Sequence, residues 1–284
     1  MSEGPRFGPS GNSESFYASG YKSTKQAPAW LRALGLDAYE YQCGNGITGS
    51  DVNFIRVGQA AKEHGIALSL HAPYFISLSG VDPETRNKSI GYIEKSIRAA
   101  ELLGADRIVI HCGSAGKIER HVAMAYAEDT LTRALAAIDT EVRFGIETMG
   151  KLGQLGTLDE VITLCALSPR LIPVVDFGHL NARERGGVFR CADDYRRVFD
   201  RIGTALGDET ARTLHCHFSK IEYSAGGEKR HLTFADTVFG PPFEPLAEAI
   251  AREGLAPRIL CESAGTMAED ALAMKAMYEE AKAK

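Results

Sequence analysis

Short apolar runs alternate along this chain with longer stretches of helical period. The runs at 6–8, 38–43, 66–71, 107–112, 143–147, 171–176, 214–220 and 258–262 are short, and most are rich in β-branched and aromatic residues. That composition suits strands buried on both faces. Between them, 52–64, 84–103, 119–138, 193–206, 244–252 and 267–282 carry apolar residues three and four apart, the pattern of a helix with one buried face. Another helix opens at Thr157, where Thr157 and Glu160 have the spacing of a capping box, and Gly104 stands where the helix before it needs a C-terminal cap. Eight strand runs, most followed by a helix, predict an α/β fold of the (β/α)8 TIM-barrel type. No fixed-period repeat or low-complexity linker interrupts residues 1–284, so a single domain is expected. The rival, an open doubly wound sheet, usually has a GxGxxG turn after its first strand, and Gly8-Pro9-Ser10-Gly11 is not one.

The polar positions sharpen this picture. Barrel active sites lie at the C-terminal ends of the strands. In this chain those ends carry His71, His111, Glu147, Asp176 and Glu262, with His179 three residues after Asp176 and His231 in the loop after the seventh strand. The seventh run, Leu214-His215-Cys216-His217, places two imidazoles on one face, because side chains alternate along a strand. Cys112, Cys216 and Cys261 each neighbour one of these polar positions, so they are expected to face the apolar layer outside the barrel. One histidine on a strand is usually satisfied by a hydrogen bond and binds nothing. The same event repeated on several strands points to metal, because imidazoles and carboxylates gathered in one mouth are costly to bury unpaired. Nitrogen and carboxylate ligands without thiolate suit zinc, manganese or iron. There are too many for one ion, so two or three are expected, an arrangement suited to in-line phosphoryl displacement.

Composition changes little. Net charge is −5, with 44% hydrophobic and 24% charged residues. This argues against coating nucleic acid by bulk charge and leaves room for a local basic rim. Such a rim is expected from Lys117, Lys151, Arg183, Arg185, Arg190, Lys220, Lys229 and Arg230 in the loops on the catalytic side. The six cysteines include no CxxC, and the first residues lack the charged-then-apolar pattern of a secretion signal, so reduced thiols and a cytoplasmic location are expected. No run is long enough to predict a membrane span.

His71-Ala72-Pro73-Tyr74, Ile110-His111-Cys112-Gly113-Ser114, Ile146-Glu147-Thr148, Asp176-Phe177-Gly178-His179, Leu214-His215, His231 and Glu262-Ser263, in that order, resemble the motifs of the deoxyribonuclease IV (endonuclease IV) family. These apurinic/apyrimidinic endonucleases are a branch of the xylose-isomerase-like barrels. The resemblance implies a zinc-dependent endonuclease of DNA repair that cleaves at abasic sites, with manganese as an alternative ion. It implies one zinc held by His71, His111 and Glu147, and a second held by Asp176, His215 and Glu262 with Glu147 bridging. A third would be held by His179, His231 and an Asp two residues before His231. That last position is Lys229, a departure that puts the third ion in question, with Glu228 beside it. Glu147 and Glu262 are the expected catalytic carboxylates, and Tyr74, His217, Lys220, Lys229 and Arg230 the expected substrate contacts. Tyr74 matches an aromatic that family members insert into DNA. The alternative is a sugar isomerase or epimerase on the same barrel, using one divalent ion held by Glu147, Asp176, His215 and Glu262 with the two glutamates as acid and base. DNA is the expected partner under the first reading, a small sugar under the second, and no protein partner is predicted.

Overall fold

The computed structural model describes residues 4–284. Eight parallel strands form its sheet: β1 (Arg6–Pro9), β2 (Ala38–Gln42), β3 (Ala67–His71), β4 (Arg107–His111), β5 (Arg143–Glu147), β6 (Leu171–Asp176), β7 (His215–Phe218) and, after a hairpin, β10 (Arg258–Cys261). Their order is β1-β10-β7-β6-β5-β4-β3-β2. The ends of that sheet meet. Ser10 bridges to Glu40 in parallel, the Gly11 N–H donates to the Glu40 carbonyl at 3.0 Å, and the Asp37 N–H donates to the Phe7 carbonyl at 3.1 Å. Gly8 permits this approach, since a Cβ there would sit 1.7 Å from the Ala38 carbonyl oxygen. The predicted TIM barrel is therefore the fold.

The outer ring is built from α1 (Glu14–Ala18), α2 (Ala27–Leu34), α3 (Asp51–His64), α4 (Pro83–Leu103), α5 (Arg120–Ala137), α6 (Leu158–Cys165), α7 (Phe177–Arg183), α8 (Ala192–Leu206), α9 (Asp208–Arg212), α10 (Glu244–Glu253) and α11 (Met267–Lys282). The seven expected helices are all present to within a residue or two at the ends that pattern defines. The Thr157 hydroxyl accepts from the Glu160 N–H at 3.2 Å while Glu160 accepts from the Thr157 N–H at 2.9 Å, so the capping box forms. Gly104 closes α4 at φ 68°. Sequence pattern does not reveal α1, α2, α7 and α9, which are eight residues or shorter. It also does not reveal the antiparallel hairpin β8 (Ile221–Ser224) and β9 (Gly227–His231). Cys112, Cys216 and Cys261 are buried in the apolar core. No described helix is long and apolar enough to cross a membrane.

The end of the barrel opposite the histidines is tied by one carboxylate. Asp106 accepts from Arg107 at 2.7 and 3.1 Å and from Arg258 at 2.8 and 3.1 Å. Burial alone would raise its pKa, but the guanidiniums of Arg107 and Arg258 hold it well below the usual carboxylate range. A depressed folded pKa contributes stability above the unfolded value of about 3.9, and this is lost as pH falls through the folded value. Asp106→Asn should therefore cost about 1 kcal/mol near neutrality, once solvent screening of a half-exposed carboxylate is allowed for. The difference in urea midpoint between wild type and variant should narrow from pH 5 to pH 3. A difference that stays constant would overturn this assignment.

Candidate functional site

The C-terminal rim of the barrel gathers its polar side chains around Glu147. This residue ends β5 and is fully buried. Its two oxygens face different partners. Oε2 lies 3.4 Å from His71 Nε2 and 3.2 Å from His111 Nε2, while Oε1 lies 3.0 Å from His217 Nδ1 and 3.5 Å from His179 Nδ1. Asp176 ends β6 and caps α7, its Oδ1 accepting from the His179 N–H at 2.7 Å. Its other oxygen, Oδ2, is buried without a hydrogen bond, as is Glu147 Oε2. His179 thus lies in the first turn of α7.

Three of the histidines are held by one ring nitrogen and offer the other. His71 Nδ1–H donates to the Ala72 carbonyl at 2.8 Å, and His179 Nδ1–H donates to the Thr148 carbonyl at 2.9 Å. His231 Nδ1 pairs with the Ser219 hydroxyl at 2.8 Å. Histidines that bind metal are usually fixed in this way by their second nitrogen. The nitrogens and carboxylate oxygens fall into three sets at the mouth: His71, His111 and Glu147; Glu147, Asp176, His217 and Glu262; and His179, Glu228 and His231. A fourth, Glu40, His215 and His217, lies deeper in the barrel. Two atoms bound to one tetrahedral ion at about 2.0–2.1 Å are about 3.3 Å apart. The contacts of 3.2, 3.4, 3.5 and 3.5 Å at His111, His71, His217–Glu262 and His179–Glu228 match that spacing, so the residues fit divalent ions.

Charge in the site follows from this crowding. Burial would raise the Glu147 pKa, yet the imidazoles of His217, His111 and His179 hold it well below the carboxylate range. Burial would likewise lower His217 and His179. For His217 the carboxylates of Glu262, Glu40 and Glu147 overcome it, and for His179 those of Asp176, Glu147 and Glu228, so both lie well above the usual histidine value.

Several predicted residues are placed differently. His215 is set apart from the mouth, its Nε2 on Glu40 at 3.2 Å, and burial pushes its pKa down to about 3. His217, expected to touch substrate, stands in the mouth instead. Register alone gives the opposite impression, because Glu147 pairs with Val174 and Val174 with His215. Barrel strands are tilted, so residues level along the axis are staggered in register, and His217 comes level with Glu147. Lys229 is also displaced. The hairpin pairs Glu222 with Arg230 but Tyr223 with Glu228, leaving Lys229 as a bulge. The extra residue shifts the alternation, so that Glu228 shares a face with His231. Lys229 and Arg230 turn outward onto Glu222, Arg230 at 2.7 Å. Lys220 donates to the Phe234 and Asp236 carbonyls and is tied down. Tyr74 stays at the rim, exposed, its ring stacked 5.3 Å from His111.

Two cavities meet at this point. One of about 400 Å³ is lined by His71, His111, Glu147, His179, Glu228 and Lys151 among others. A second, of about 580 Å³, shares Tyr74, His231 and Glu262 with it and is lined by Ser10, Gln42, Asn45, Thr48 and Ser263. The basic rim is thinner than expected, because Arg183 is buried and donates to the carbonyls of Met149, Lys151, Leu152 and Gln154.

A sequence model of the xylose isomerase-like TIM barrel matches residues 28–279. The chain belongs to that family. Among proteins of this family type, an uncharacterised protein of Methanocaldococcus jannaschii is 30% identical over 88% of this chain and 90% of its own length. A probable endonuclease 4 of Staphylococcus carnosus is 28% identical over 62% of this chain, which spans only 60% of that relative. Endonuclease IV from Thermus thermophilus superposes with a TM-score of 0.69 at 20% identity, covering 97% of this chain and all of that one. A D-tagatose 3-epimerase-like protein superposes equally well, at 18% identity over 97% and 96%. The xylose isomerase-like barrel thus hosts at least these two named kinds of protein, and the site must separate them.

Sequence reasoning missed one site residue of this family member entirely. Glu40 lies in the middle of β2, fully buried, against His215 and His217. The available signal was a lone carboxylate at the centre of Ala38-Tyr39-Glu40-Tyr41-Gln42, a run otherwise suited to a strand covered on both faces.

Proposed function

We propose that this chain is a metal-dependent phosphodiester hydrolase of the endonuclease IV type, acting on DNA at abasic sites. The observation that carries the reading is the divided Glu147 carboxylate, with one oxygen toward His71 and His111 and the other toward His217 and His179. A single-ion isomerase has no use for His71 and His111, nor for the separate trio of His179, Glu228 and His231. In this reading His71 and His111 would hold one ion, Asp176, His217 and Glu262 a second, and His179, Glu228 and His231 a third, and Glu147 would serve the first two. Zinc suits these ligands, and manganese is the alternative. Ions bound there supply Lewis-acid stabilisation to phosphoryl oxygens and a water acidic enough to attack at neutral pH.

The protein's own part is to position and to exclude. Glu147 is fully buried and held as the anion, so it can offer both oxygens to cations without being solvated itself. Tyr74 and Lys151 border the same cavity, where an aromatic face and an ammonium can flank a sugar–phosphate backbone. One observation favours the second reading, a sugar isomerase or epimerase. The adjoining cavity is lined by hydroxyls and amides, chemistry that suits a polyol as well as a deoxyribose.

Metal content per chain and turnover decide between them. The expected result is two or three ions per chain and cleavage of an abasic duplex, with no conversion of a panel of ketoses. One ion per chain together with ketose turnover would establish the isomerase instead.

A further inference from the structure

We propose that Glu40 is a positioning residue whose carboxylate fixes His217 with its Nδ1 turned to the metal centre. This inference rests on the reading that His217 is a metal ligand. The carboxylate is fully buried and each oxygen is shared between a hydroxyl and an imidazole. Ser10 Oγ donates to Oε1 at 2.9 Å and Ser69 Oγ donates to Oε2 at 2.8 Å. His217 Nε2 lies 2.9 Å from Oε1, off the axis of a good hydrogen bond, and His215 Nε2 lies 3.2 Å from Oε2.

An imidazole nitrogen can approach an anionic oxygen this closely only as N–H, because a lone pair in that place would be repelled. Nε2 of His217 therefore carries a proton. By the same rule Nδ1, 3.0 Å from Glu147 Oε1 and 3.5 Å from Glu262 Oε1, is also N–H here. A cation held by Glu147 and Glu262 would take the place of the Nδ1 proton, and the proton on Nε2 beside Glu40 is the one that stays. A carboxylate behind a ligating histidine does two things: it selects the tautomer, and it makes the free nitrogen a better donor to the metal. Glu40 touches neither the mouth nor the cavities that open into it, so its effect passes through His217. His215 occupies the other oxygen and prevents Glu40 from swinging away.

The test compares wild type with Glu40→Gln, which keeps the shape and removes the charge. Zinc affinity is measured by competition with a chelating dye, and cobalt absorption spectra report the ligand field. The expected result is full stoichiometry in wild type and an affinity about 10- to 100-fold weaker at one ion in the variant, with a shifted cobalt spectrum. Glu40→Asp should recover part of that loss. Unchanged affinity and spectrum in a folded Glu40→Gln would overturn the role of Glu40 alone. A wild type that takes up no zinc, cobalt or manganese would overturn the metal reading beneath it. Should the variants fail to fold, long-range ¹⁵N–¹H correlation on zinc-loaded wild type gives the same answer. A proton on Nε2 of His217 is expected, and a proton on Nδ1 would refute the proposal.

Discussion

Glu147→Gln is expected to lower the rate of abasic-site cleavage by at least about a thousandfold, equivalent to about 4 kcal/mol of barrier. The amide has the size of the carboxylate, so packing is preserved in a fully buried position. It retains one acceptor oxygen where two are needed, one toward His71 and His111 and one toward His217. Its NH2 must then point at one of those sets and repel any cation there. Metal content should fall by one ion or more while circular dichroism stays native. Single-turnover cleavage with metal analysis on the same sample is the check. A loss of tenfold or less with full metal content would make Glu147 a packing carboxylate and remove the basis of the proposed function.

The second large effect separates two neighbours in sequence. Glu228→Ala should remove the ion expected between His179 and His231 and reduce cleavage about a hundredfold. Lys229→Ala should leave metal content intact and change the rate less than about threefold, because Lys229 is exposed and turned away onto Glu222. Parallel metal analysis and rate measurement on the two variants decides it. The reverse order of effects would mean that the bulge does not place Glu228 beside His179, and that the chain has two ions at most.

Why some of this was legible and some was not has a physical basis. Strands covered on both faces give continuous apolar runs, and long amphipathic helices give a clear period, so the barrel can be read from Ile66 to Glu262 almost without loss. Site residues at strand ends stand out for the same reason: His71, His111, Glu147, Asp176 and Glu262 interrupt an apolar pattern where it stops. Depth within the barrel is another matter. His215 and His217 share one inward face, and only strand tilt decides which of them is level with Glu147. The bulge in β9 breaks the two-residue period on which any spacing argument depends, so the resemblance points to position 229 while the carboxylate beside His179 and His231 is that of its neighbour Glu228. Glu40 was missed because it sits mid-strand, a place where sequence reading expects packing.

The buried guanidinium of Arg183 bears on how the chain tolerates change. It satisfies carbonyls at four positions of the segment between β5 and α6, and that segment in turn carries β9, through the Glu228 N–H on the Gly150 carbonyl at 3.1 Å. A connection whose oxygens are claimed by a fixed cation has no slack in length. Insertions or deletions that most loops would absorb would here uncouple the hairpin from the wall it leans on, and the turn at Ala225–Gly226 shares that limit, because the Gly226 carbonyl accepts from the Leu152 N–H at 3.2 Å. Engineers wishing to graft a tag or a second module near the mouth should leave both residues 149–154 and the turn at 225–226 alone.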